Sequence, residues 1–284
     1  MKKALLSILL LAGAVYLFGV GLPPASVPTA SIAASAPVEA EPLADPSWQQ
    51  VKEKGCLVIG VDDAFPPMTF LDESSQLTGL DIELAQEVCD ALGIRAEFQP
   101  ISWDEKEALL QDGSIDCIWS GLSITPERET KMCFSQPYLI TKISVLSSTN
   151  VWIPYFSYLP YHRIGVQPSS AAWEMLNSVE DYEIFLPNVT PLETYAEGLE
   201  SFAQGTLDTV IVDETYANYQ AAQMPANYYL LPFDFGDDLY AVGFRLSDEA
   251  LAQQVNDTLQ TLIADGTAYE IAEKWLAAEK IIIP

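Results

Sequence analysis

From residue 56 onward the hydrophobic positions keep changing period. CLVIGVD (56–62) is a short β-branched run, the pattern of a buried strand. In GLDIELAQEVCDALG, Ile82, Ala85, Val88 and Leu92 recur at helical spacing, which predicts a helix capped by Asp81 and stopped by Gly93. AEFQPI predicts a second strand and DEKEALLQDG a short helix. IDCIWSG predicts a third strand ending at Ser120 and Gly121. The order β-α-β-α-β implies a parallel sheet with helices on its faces. A second round follows: RIGVQ (163–167), AAWEML, EIFLP, TYAEGLESFAQG and DTVIVDE predict strand, helix, strand, helix, strand. Between the rounds, NVWIP to LPYH is aromatic-rich and irregular. YYLLPF and YAVGFR read as strands. DEALAQQVNDTLQTLIADG and TAYEIAEKWLAAE read as amphipathic helices separated by a glycine stop. The helix-face leucines and Trp275 are expected in the core. Two open α/β units side by side predict a cleft, with ligands gathering beyond the carboxyl ends of the strands.

The start has a different pattern. MKK is a basic lead, and residues 4–22 are an uncharged apolar run. This is the layout of a signal peptide or an N-terminal membrane anchor (1–22). The Pro/Ala/Ser-rich stretch 23–47 reads as a flexible linker. Both readings place the remainder outside the cytoplasm. With no cysteine before Cys56, the anchor is not a lipid-modified cysteine.

Charge narrows the partners. The chain of 284 residues has 40 acidic and 13 basic side chains, a net charge of -27. Such a surface repels phosphate backbones, so nucleic acid is excluded as a partner. Cys56, Cys89, Cys117 and Cys133 lack metal-ligand spacing, and His162, expected at the surface, is the one histidine. No metal or cofactor is implied. Export would permit disulfides; buried free thiols are the alternative.

The unusual residues gather at the strand ends. Asp62 and Phe65 follow the first strand, Trp103 the second, and Ser120, Gly121 and Ser123 the third. In the second unit Ser170 and Ala171 follow one strand and Asp213 ends another. SGLSITPER then places Arg128 just beyond a hydroxyl-rich turn. A guanidinium is a planar five-donor fork matched to one carboxylate. The plainer readings are a surface pair with Glu127 or Glu129 for Arg128, a helix cap for Asp213, a turn hydroxyl for Ser123, a solvent-facing or turn-capping carboxylate for Asp62, and core packing for Phe65 and Trp103.

Six stretches, in order and correctly spaced, resemble the family 3 extracytoplasmic solute-binding proteins, the amino-acid receptors of ABC importers. They are VDDAFPPMTF, GLDIELAQEVCDALG, IDCIWSGLSITPERETKMCFSQPYL, RIGVQPSSA, DTVIVDE and DGTAYEIAEKW. The resemblance covers roughly residues 48–280 and implies a two-lobed, type II periplasmic-binding-protein fold. Lobe 1 would be 48–141 with 236–284, and lobe 2 would be 142–235. The segments ITKISVL and LPFDFGDDL would form the hinge. By the same resemblance Arg128 and Ser123 grip a ligand α-carboxylate, with the Ser170 and Ala171 backbone completing the grip. Asp213, with oxygens of Ser120 and Gly121, holds the ammonium. Phe65 and Trp103 flank the side chain. The family's turn glycine is Ser169 here, after Pro168. Asp62 favours a basic ligand, ahead of neutral polar and then acidic ones, since no second basic residue is evident near the site. The implied partners are an amino acid and an ABC permease, and the protein a monomer without enzyme activity. Two rivals remain: a dehydratase on the same fold, using Glu174 or Glu214 as general acid, and a membrane-tethered sensor.

Overall fold

The structure, a computed structural model, describes residues 45–275 and 277–282. The expected leader and nearly all of the linker lie outside the described residues. No described helix is long and apolar enough to cross a membrane.

Two five-stranded sheets share one plan. In the first, Arg95–Pro100, Cys56–Val61 and Cys117–Ile118 run parallel, and Gly243–Arg245 and Met132–Phe134 continue antiparallel. In the second, Val189–Pro191, Ile164–Val166 and Thr209–Asp213 run parallel, and Leu139–Ser148 and Tyr228–Tyr240 continue antiparallel. The alternating strand–helix rounds therefore account for three strands of each sheet, and chain returns supply the other two. Helices cover the faces and make each sheet the centre of a lobe. Leu57, Ile59 and Val61 in one lobe, and Val210, Ile211 and Val212 in the other, are fully buried, as a sheet covered on both faces requires.

The last two strands of the second sheet are long and pair with each other from Leu139↔Tyr240 to Ser148↔Tyr228. Their ladder slips between Leu230 and Asp234 and again between Asp234 and Gly236. Such slips bend a strand and weaken its pairing locally. Bridges Ser123↔Tyr240 and Leu139↔Ile281 tie the ends of these strands to the first lobe.

Several elements differ from the sequence expectation. The third strand is only Cys117–Ile118; Trp119 still donates to the Gly60 carbonyl at 3.2 Å, and the Gly121 N–H turns instead to the Asp81 carboxylate at 2.7 Å. Asp81 is therefore not a cap. Gly79 holds the cap position, and Asp81 lies fully buried in the first helical turn, also accepting from the Tyr138 hydroxyl at 2.7 Å. EIFLP is not a strand. It spans the 3₁₀ turns Tyr182–Ile184 and Leu186–Asn188, with the strand following at Val189–Pro191. Pro187 has no N–H for a ladder, and Phe185 packs inward against Phe156. YYLLPF and the tyrosine of YAVGFR merge into one strand, Tyr228–Tyr240. His162 is half-buried, with Nδ1 3.7 Å from Asp208. Trp275 packs edge-on against Phe70. All four cysteines are free thiols.

Candidate functional site

A small cavity lies between the lobes, beyond the carboxyl ends of both sets of parallel strands. All ten residues expected from sequence line it: Asp62, Phe65, Trp103, Ser120, Gly121, Ser123, Arg128, Ser170, Ala171 and Asp213. Gln167 and Tyr195 line it as well.

Arg128 is positioned by its own turn. Thr125 caps the short helix Pro126–Glu129, its hydroxyl accepting from the Arg128 N–H at 3.3 Å, and Pro126 sits where a missing N–H costs nothing. The guanidinium is 1% exposed. It pairs with neither Glu127 nor Glu129. Nη1 donates to the Ser123 carbonyl at 2.9 Å, and Nη2 crosses the cleft to the Ser169 carbonyl at 2.8 Å. Nε is buried without a hydrogen-bond partner, with the Glu174 carboxylate 3.8 Å away. A buried fork with an idle donor is an anion site in waiting.

Opposite it, Asp213 occupies the cap position of helix Glu214–Gln223 but makes no capping bond. Its carboxylate instead accepts from the Tyr240 hydroxyl at 2.7 Å. Burial, then the nearby charge of Asp238, pushes its pKa up to about 8. Asp238 is raised too, by burial first, and accepts from the Ser123 hydroxyl at 2.7 Å. Ser123 thus presents its hydroxyl to Asp238 and its carbonyl to Arg128.

Asp62 is 7% exposed, and burial raises its pKa. Its carboxylate accepts from the Ala64 N–H at 2.9 Å, and no described Lys or Arg pairs with it. Its N–H donates to the Ser120 hydroxyl, which also contacts Thr69 at 2.5 Å. Ser120 is therefore held rigidly.

The apolar walls cross the cleft. Phe65 stacks on Tyr216 at 5.7 Å and leans on Tyr195 at 5.9 Å. Packing and lining are the same role for this ring. Gly121 has φ +55°, and a Cβ there would lie 2.6 Å from the Phe65 ring, so the close approach requires glycine.

Three residues escaped sequence reasoning. Gln167 follows the strand Ile164–Val166 and was legible as the last residue of the GVQ stretch; its side-chain amide donates to the Glu193 carbonyl at 2.9 Å. Tyr195 opens a helix behind the Thr194 cap, and its buried hydroxyl has no partner. Lys106 corrects the expectation that no second basic residue is near: it lies 1% exposed beside Arg128, with Nζ 4.8 Å from the Trp103 ring centre. Ser169 takes the left-handed conformation, φ +58°, where the resemblance expects glycine. Neither Glu174 nor Glu214 lines the cavity; Glu214 pairs with Lys280. No group of described residues could hold a metal.

The model for bacterial extracellular solute-binding proteins, family 3, matches residues 57–278. The L-cystine-binding protein TcyJ of Escherichia coli is 28% identical over 233 residues, covering 81% of this chain and 86% of its own. The crystal structure of Tv2483 bound to L-arginine superposes with a TM-score of 0.78 at 31% identity, covering 85% of this chain and 98% of that one. An ABC uptake transporter substrate binding protein from Streptococcus pneumoniae with bound histidine gives 0.76 at 30% identity, covering 82% and 96%.

Proposed function

The chain belongs to the bacterial extracellular solute-binding proteins of family 3, and on that premise we propose that its solute is one L-α-amino acid with a polar, preferentially basic side chain. The lobes close on it outside the cytoplasm, and the loaded monomer delivers it to an ABC permease. One observation carries this reading: a buried cation, Arg128, and a buried carboxylate, Asp213, face the same small cavity. A zwitterion needs that pair, desolvated and fixed.

The preference for a basic side chain rests on Asp62, a buried carboxylate without a paired cation. Leaving such a group unpaired is costly, so a ligand that brings the cation gains most. Relatives named for L-cystine, L-arginine and histidine frame the candidates. The lobes are read as 48–141 with 236–284, and 142–235, with the slipped ladder near Asp234 in the hinge.

The test is a thermal-shift screen of the purified protein against the twenty amino acids, ornithine, citrulline and cystine. Ligand that binds only the folded form raises Tm by mass action. A clear rise with arginine, lysine, ornithine or histidine is expected. A folded protein that responds to none of the set overturns the receptor reading, and a hit confined to acidic amino acids overturns the role given to Asp62.

A further inference from the structure

Lys106 sits at the lobe junction but does not line the cavity. Its Nζ donates to the Trp103 carbonyl at 3.2 Å in its own lobe and to the Ser169 carbonyl at 3.0 Å in the other. Arg128 Nη2 donates to that same Ser169 oxygen at 2.8 Å. One carbonyl, turned outward by a left-handed residue, therefore receives two cations from the opposite lobe. The arrangement requires a closed cleft. When the lobes part, the Ser169 bond breaks and water reaches the amine.

The closed surroundings suit Lys106 poorly as a cation. Both of its hydrogen-bond partners are neutral carbonyls, and the Trp103 ring, 4.8 Å from Nζ, is a weak attraction set against the loss of water. Arg128 lies beside it, and the carboxylates of Asp104, Glu107 and Glu174 oppose Arg128 only in part. Burial, then the guanidinium, lowers the Lys106 pKa from 10.5 to about 7. A neutral amine still donates to Ser169, so deprotonation removes the charge without removing the bond.

We propose that Lys106 is a positioning residue that clasps lobe 2 only in the closed form and releases its proton to solvent as the cleft shuts. The proposal rests on closure around an amino acid, as in the receptor reading. The sign follows from the two states. A cation whose pKa is lower in the closed form opposes closure most below about pH 7, and that opposition fades toward 10.5. Affinity therefore climbs with pH in this window. The gain attributable to Lys106 approaches tenfold per pH unit at one proton released per ligand.

The experiment is isothermal titration of the full chain at about pH 8.5 in two buffers of different ionisation enthalpy. The probe is the amino acid returned by the thermal screen, with L-arginine tried first. The wild type should release close to one proton more per ligand than either Lys106→Met or Lys106→Arg. Methionine keeps the stem over Trp103 without a proton to lose. Arginine keeps a charge and a donor that stay protonated. Both variants are checked for folding by circular dichroism, and either one suffices for the comparison. Equal proton counts in wild type and variants overturn the proposal. Absence of any binding heat overturns the receptor reading instead, and the clasp with it.

Discussion

Arg128→Met removes the charge and the fork while keeping most of the stem. In the empty protein the loss is limited. Two carbonyls, Ser123 and Ser169, lose a donor, and Glu174, 25% exposed, can turn to water. At about 1 kcal/mol per bond the empty variant stays folded. With ligand the loss is larger, because a carboxylate would enter a closed cavity without its cation. Truncating one partner of a buried charge pair costs about 2–5 kcal/mol. That weakens Kd by roughly 30- to 4,000-fold. At a ligand concentration of about 1,000 times the wild-type Kd, wild type gains about 4 kcal/mol, roughly 8–16 °C in Tm for a protein of this size. At the same concentration the variant should keep about half of that or less. Scanning calorimetry with and without ligand reads both quantities. A variant whose ligand-induced shift equals that of wild type refutes the assignment of Arg128.

Other outcomes follow from the same geometry. The raised carboxyl of Asp213 belongs to the closed cleft, where burial disfavours its charge until an ammonium arrives. Asp213→Asn should therefore weaken binding by roughly 30-fold or more, since an amide cannot balance the ammonium; a titration giving unchanged affinity contradicts the role. Gly121→Ala should cost about 1–3 kcal/mol in urea melts and weaken binding as well, because its Cβ would push the Phe65 ring. Unchanged stability and affinity would show that the loop yields freely.

Much of the site was readable because it sits where strands end. A β-branched run followed by Asp, Ser or Gly marks a strand terminus, and in parallel α/β units those termini converge. That logic places Asp62, Ser120 and Asp213 at the cleft from sequence. Ser169 was readable as an anomaly, a non-glycine in a glycine's place, and it keeps the left-handed φ, +58°, that a glycine would adopt freely. Tyr195 was not readable. It opens an ordinary capped helix 130 residues from Phe65, and only folding brings the two rings within 5.9 Å. Lys106 carries no mark in the short-helix pattern DEKEALLQDG; its burial comes from the fold, where its amine reaches the Ser169 carbonyl of the other lobe. Asp81 looked like a cap, yet it joins Gly121 and Tyr138, 40 and 57 residues away.

Sequence alone determined the fold class, the two rounds of strand and helix, the acidic surface and the residue types at the cleft. These follow from periodicity and composition, which act over a turn of helix or a few residues of strand. Tertiary structure decided which polar groups lose their water. Asp62, Lys106, Arg128 and Asp213 are each less than a tenth exposed. The altered acidity of Asp62, Lys106 and Asp213, and the idle donor of Arg128, come from neighbours distant in the chain. Burial is a non-local property. Desolvation acts on the charge itself, so the chemistry of the cleft emerges only once both lobes surround it.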